Sequence, residues 1–283
     1  MASLAIMGSP KVISVDAHGH LHPCFEVCTF LERAHSNLSA SVTRISDDRQ
    51  PVCVLFVLSM STGNVDGFRR LRDTLNGSAY DWGNEDWQMR TTAERISVCF
   101  TSPNRSPLVA IAGCQIVSRE HLEVLALGTR EQFEEGQPAR TLIQEVAQAG
   151  AIPVLPWGVG KWLGRRGRLV EELTEDPTLP PFFLGDSAHR PTFWPQSSLF
   201  RRAEERGIRN LSGSDPLPFS GDVQQVGSFG VVLDASLDLE KPAQDLKQTL
   251  LDPSTAFRQF GEGETSGRFV RNQLKMQFRK LTQ

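Results

Sequence analysis

No stretch of this chain approaches the roughly 18 consecutive apolar residues that a membrane-spanning helix needs. Nor is one sign of charge in excess. Lys and Arg number 30 against 33 Asp and Glu, a net charge of -3 with a pI near 6.1. No basic field therefore draws the chain to nucleic acid or to an anionic membrane. The first ten residues, Met1 to Pro10, carry no charged start ahead of their apolar part, and we expect no signal peptide and a cytoplasmic location. The five cysteines, Cys24, Cys28, Cys53, Cys99 and Cys114, are an odd count that fits reduced thiols better than a disulfide framework. Cys24 and Cys28 lack the second cysteine pair of a structural zinc site and read as ordinary packing. The Gly-x-Gly-x-x-Gly fingerprint is missing after the first strand. A Walker loop and a Gly-x-Ser-x-Gly elbow are missing too. Dinucleotide binding and serine-nucleophile chemistry thereby lose their usual support.

What is present is an alternation of strands and helices. The chain is 39% hydrophobic and 22% charged over 283 residues, enough to bury one large core without staples. Lys11–Val15 and Val52–Leu58 are apolar, β-branched runs of the kind covered on both faces. Further strands are expected at Ile96–Thr101, Leu108–Ile116, His121–Leu127, Ile152–Leu155, Phe182–Leu184, Ile208–Leu211 and Gly230–Leu233. The Pro103–Pro107 stretch between the first two of these marks a hairpin. Helices are expected near 25–39, 65–75, 139–150, 161–173 and 197–206, with two more closing the chain. We expect one domain over 1–283, a mostly parallel α/β structure best described as a distorted (β/α)7-8 barrel. A Trp- and Asn-rich loop over 76–94 belongs to an insertion spanning 76–107.

Half of the six histidines sit together in Asp16-Ala17-His18-Gly19-His20-Leu21-His22, directly after the first strand. Alternation along an extended backbone puts His18, His20 and His22 on one side with Asp16 in phase. Imidazoles at that spacing can hold one metal ion, and a neighbouring carboxylate can bridge or orient it. Further carboxylates and a histidine recur at later strands and their ends: Glu123, Asp186 with His189 and Arg190, and Asp215. In a barrel these positions converge on one face. Trp157-Gly158-Val159-Gly160-Lys161 joins a strand to an expected helix, where backbone amides and Lys161 could take a phosphate. Arg190 is either an oxyanion clamp or a partner of Asp186. With no nucleophilic triad in sight, a metal-activated water is the economical nucleophile.

Asp16-Ala17-His18-Gly19-His20, Glu123 in Leu-Glu-Val-Leu-Ala-Leu-Gly, and Gly213-Ser214-Asp215 followed by Val226-Gly227 resemble the motifs of the PHP superfamily, the polymerase-and-histidinol-phosphatase-like metal-dependent phosphoesterases. The resemblance implies a distorted seven-stranded barrel with metal at the strand C-termini, His18 and His20 as ligands, and Asp215 in the last motif. Three positions depart from it. Ser59-Met60-Ser61-Thr62 stands where the family has Thr-Asp-His, Cys114-Gln115 where a glutamate follows Gly113, and Leu217 where a histidine follows the final Asp. The expectation is one or two divalent ions, zinc or manganese, rather than three. Glu123, Asp186 and His189 are further candidate ligands, and Asp215, Lys161 and Arg190 are candidate catalytic groups. The expected substrate is a small molecule, with phosphorylated compounds included. Asp-x-His-x-His is also similar to the opening of the amidohydrolases, which leaves C–N or ester hydrolysis, or a barrel that binds without turnover, as alternatives. The sequence leaves the oligomeric state open.

Overall fold

The computed structural model describes residues 12–45, 51–60, 66–75 and 87–281. Ten strands form one curled sheet. The strands are β1 (Ile13–Gly19), β2 (Val52–Met60), β3 (Gln88–Thr91), β4 (Ser97–Ser102), β5 (Arg105–Val117), β6 (Glu123–Leu127), β7 (Ile152–Pro156), β8 (Phe183–Gly185), β9 (Gly230–Leu233) and β10 (Phe257–Phe260). The main path runs β10-β9-β1-β2-β5-β6-β7-β8, with the β3–β4 pair attached to β5. The helices are α1 (Val27–Ile45), α2 (Gly67–Leu75), α3 (Ala139–Gln148), α4 (Arg165–Glu175), α5 (Ser198–Glu204), α6 (Pro242–Leu251) and α7 (Ser266–Leu281).

Period-2 alternation decides which side chains meet. On β1, Ile13, Val15 and Ala17 point into the curl. On β2, Val54, Phe56 and Leu58 do so, and on β5, Val109 and Ile111. The opposite positions, such as Val12, Cys53, Leu55, Val57, Leu108 and Ala110, pack outward under α1 and α2. A third cluster lies under α3, α4 and α5. Both faces of the central strands are therefore apolar, and their sequences read as continuous hydrophobic runs rather than alternating ones.

The two ends of the sheet approach each other. Phe183 of β8 stacks on Phe257 of β10 with centroids 6.0 Å apart, and the Arg209 guanidinium lies 4.3 Å from the Phe257 ring centre. Near the C-terminal end of β1 the sheet forks. Its lower half pairs with β9, while residues 210–215 bridge from β8 to its upper half. Leu211 N donates to Leu184 O at 2.7 Å, Ala17 N to Ser212 O at 3.2 Å, and Asp215 N to His18 O at 2.7 Å.

Several expectations need correction. The stretch expected as a loop over 76–94 contains β3, which pairs antiparallel with β4; residues 76–86 lie outside the described part. Ile208–Leu211 forms no strand of its own, only an isolated bridge at Asn210. A tenth strand precedes the last helix. The sheet is not all parallel either. β6 runs antiparallel to both β5 and β7, so its first residue, Glu123, lies at the rim where β5 and β7 end. The hairpin expected around Pro103–Pro107 is the β4–β5 turn.

Candidate metal centre

A bulge in β1 between Asp16 and Gly19 breaks the phase that simple alternation gives the first motif. Asp16 therefore does not share the direction of His18 and His20. Fully buried, it accepts hydrogen bonds from His18 N (3.0 Å), Ser214 N (2.9 Å), Ser214 Oγ (2.5 Å) and Gly227 N (2.9 Å). Burial lifts its carboxyl above the usual range, and the four donors pull the other way. Asp16 pins β1 to residues 213–215 and 227. Gly213 is required by that closeness, since a Cβ there would sit 2.3 Å from His18 N.

His22 also leaves the group. Its Nε2 meets Pro216 O at 2.8 Å, and its ring stacks on His20. Three of the expected residues converge: His18, His20 and Asp215 bring their donor atoms within 4.8 Å of one another. Asp215 Oδ1 is 3.5 Å from His18 Nε2 and 3.8 Å from His20 Nε2. Burial opposes ionisation of Asp215, but His18, His189, His20 and Lys161 around it hold its carboxyl below the ordinary value. Its backbone is left-handed, φ +49°, a conformation Asp adopts more readily than most residues.

The structure adds a residue that the expected ligand set left out, at the place where the resembled motif has its glutamate. Gln115 occupies the next inward position on β5 after Val109, Ile111 and Gly113. Its Oε1 lies 3.0 Å from His18 Nε2 and 3.2 Å from His20 Nε2, and the two Nε2 atoms are 3.0 Å apart. No protonation state satisfies this triangle. An amide oxygen only accepts, so both neutral rings would have to donate to it, and then two N–H groups face each other. Turning the amide over makes both rings acceptors and sets lone pair against lone pair. A cation among the three atoms removes the conflict, because every lone pair then points at it. His20 is suited to that role: burial and the nearby His18 push its pKa down to about 3, which keeps the ring neutral. Its Nδ1 is buried without a hydrogen-bond partner among the described residues, whereas a metal-bound imidazole ordinarily donates that ring proton to an acceptor. The residues present fit a divalent ion.

The other expected residues stand around this group. Glu123 is paired with Lys161. Lys161 does not start a helix, since α4 begins at Arg165, so the expected helix-terminus phosphate site is not formed. Asp186 is fully engaged by Arg190, which donates from Nε at 3.1 Å to each oxygen and from Nη2 at 2.9 Å, while Nη1 reaches Trp194 O at 3.0 Å. His189 binds Glu264 Oε1 through Nδ1 at 2.9 Å and the backbone carbonyl of Asp215 through Nε2. Burial works against a charge on His189, yet Glu264 and Asp215 raise its pKa to about 9. Glu264 also accepts from Asn272 at 2.6 Å and pairs with Arg268 of α7. Burial lifts the thiols of Cys53, Cys99 and Cys114 to about 12, 11 and 12, so none of them offers a thiolate.

No family profile and no curated protein matches the chain. Solved structures do. PsfC from Pseudomonas syringae aligns with a TM-score of 0.54 over 96% of this chain and 99% of its own, at 14% identity. A lesion-specific endonuclease Q from Pyrococcus furiosus aligns with a TM-score of 0.51 at 11% identity, over 87% of this chain and 57% of that one. At these identities the likeness concerns the fold alone. Among the described residues no helix is long and apolar enough to cross a membrane.

Proposed function

We propose that this chain is a metal-dependent hydrolase acting on phosphoesters, built on a distorted barrel of the PHP type. The observation that carries the reading is the unsatisfiable triangle of His18, His20 and Gln115 beside the Asp215 carboxylate. His18, His20 and Asp215 would hold a divalent ion, zinc or manganese, which supplies Lewis acidity and a water nucleophilic at neutral pH. His20 contributes a lone pair that protons do not contest. Asp215 is the one carboxylate of the group, and it either holds the ion or takes a proton from the attacking water. His189 holds the Asp215 backbone, a positioning role. Lys161 lies within electrostatic reach of Asp215, and we assign it the charge of an entering phosphate, exchanged from Glu123 when substrate binds. Arg190 spends its donors on Asp186 and Trp194, so we assign it to the shape of the 186–196 loop rather than to the substrate.

The substrate screen covers phosphomonoesters and nucleic-acid phosphodiesters. A lesion-specific endonuclease among the fold neighbours puts the latter in scope, although the chain's overall charge does not favour polyanions. Protein reloaded with Mn(II) or Zn(II) is assayed on p-nitrophenyl phosphate, bis-p-nitrophenyl phosphate and a DNA oligonucleotide, beside the His18→Ala/His20→Ala variant. We expect metal-dependent phosphoester turnover that the double substitution abolishes. Turnover of amides or lactones in place of phosphoesters would shift the assignment to amidohydrolase chemistry. A wild type that takes up no metal would leave a barrel that binds without reacting.

A further inference from the structure

We propose that Gln115 is itself a metal ligand, and that the centre holds one divalent ion rather than a cluster; this rests on the metal-dependent reading above. Metal bonds of about 2.1 Å place neighbouring ligand atoms about 3.0 Å apart in an octahedral set and about 3.4 Å apart in a tetrahedral one. The amide oxygen lies 3.0 and 3.2 Å from the two imidazole nitrogens, which are themselves 3.0 Å apart, and Asp215 Oδ1 lies 3.5 and 3.8 Å from those nitrogens. Gln115 thus stands among the ligand atoms at ligand spacing. A residue merely supporting a ligand ring would bind the nitrogen that faces away from the metal.

Charge sets the number of ions. Two neutral imidazoles, a neutral amide and one carboxylate bring a single negative charge. Against one divalent ion that leaves one net positive charge, suited to an anionic substrate oxygen. Against two ions it leaves three, with the repulsion of dications about 3.5–4 Å apart unrelieved by any bridging carboxylate. The carboxylates that could draw a second ion to the rim are already neutralised by cations of the chain. Glu123 has Lys161, Asp186 has Arg190, and Glu264 has His189 and Arg268. Among the described residues no second group of three His, Cys, Asp or Glu donors converges, and residues 61–65, which follow β2, contain none of these types.

The test is stoichiometry and affinity on the full chain. Wild type, Gln115→Leu, Gln115→Glu and His18→Ala/His20→Ala are stripped with chelator and titrated with Mn(II). The readouts are elemental analysis, Mn(II) electron paramagnetic resonance, and far-UV circular dichroism to verify folding. Wild type should take up one ion per chain with the spectrum of an isolated Mn(II). Gln115→Leu should bind roughly tenfold or more weakly, and Gln115→Glu at least as tightly as wild type. Affinity unchanged in Gln115→Leu would overturn the ligand role. Should Gln115→Leu fail to fold, Gln115→Glu decides: weaker binding than wild type overturns the role. Two or more ions per chain, or a spin-coupled spectrum, would overturn the single centre while leaving a metal-dependent enzyme. No ion in wild type would overturn the metal-dependent reading itself, and this inference with it.

Discussion

Asp16 and His18 are two residues apart in one short motif and do different work. The histidine turns its Nε2 toward His20, Gln115 and Asp215. The aspartate, buried behind it, gathers three backbone N–H groups and one hydroxyl from three stretches of chain. A charged acceptor in that setting is worth more per hydrogen bond than a neutral one. Asp16→Asn keeps the shape but replaces one acceptor oxygen with an NH2 that must confront either Ser214 or Gly227. We expect a loss of about 3 kcal/mol in unfolding free energy, read from urea denaturation of metal-free protein with the slope unchanged. A loss below about 0.5 kcal/mol, the scale of an ordinary surface change, would deny Asp16 this role.

At the scale of elements, α7 is tied to the 210–215 segment through a chain of side chains. Asn272 and Arg268 hold Glu264, Glu264 holds His189, and His189 holds the carbonyl of Asp215. The folded-state pKa of His189, about 9, stands above its ordinary value of 6.5. The native state thus binds a proton that the unfolded chain has released between those limits. The stabilisation is fully present below pH 6.5 and is lost as pH rises through 9. Its size is up to about 3 kcal/mol. Metal-free wild type should therefore lose stability relative to Glu264→Gln between pH 6.5 and 9, measured by denaturation at each pH. Parallel curves would show that the pair carries no such linkage.

Much at this scale was legible beforehand. Apolar runs gave β1, β2 and β5, Gly150 with φ +78° stops α3 where expected, and the Pro-rich turn sits between β4 and β5. His18, His20 and Asp215 stood out as scarce or strand-end residues, and they meet. The rest failed for physical reasons. A bulge of one residue rephased Asp16. β6 resembles its neighbours in composition, and the one cue that it runs backwards is its connection to β5, which is too short for a parallel crossover. Residues 208–211 were read as a strand from their β-branched start, yet they serve as the narrow bridge that joins β8 to β1. Gln115 stands where the resembled motif has its glutamate, and it was left out of the expected ligand set because glutamine carries no charge to offer a cation. That motif position and its inward phase with Val109 and Ile111 were the two signals for it.

Taken as a whole, the molecule is a sheet curled until its edges nearly meet, and the candidate metal centre lies at the join. His18 lies near the end of β1 and His20 just after it, while Asp215 ends the bridging segment. Backbone bonds across that join are few: Ala17 to Ser212 and Asp215 to His18. An ion held by all three side chains would therefore act as a cross-link closing the sheet, and its removal should be felt well beyond the site. Binding to the folded state alone adds about 4 kcal/mol when free ion exceeds its dissociation constant a thousandfold. For a chain of this length that corresponds to a rise in Tm of about 8 °C. We expect that rise on adding Mn(II) or Zn(II) to chelator-treated protein, and its absence in His18→Ala/His20→Ala. Hydrogen exchange should slow at the amides of Ala17 and Asp215, which bridge the join, more than in β3 and β4, which lie off the main path of the sheet and carry none of the ligands. A uniform slowing, or none at Ala17 and Asp215, would mean that the ion binds without closing the sheet.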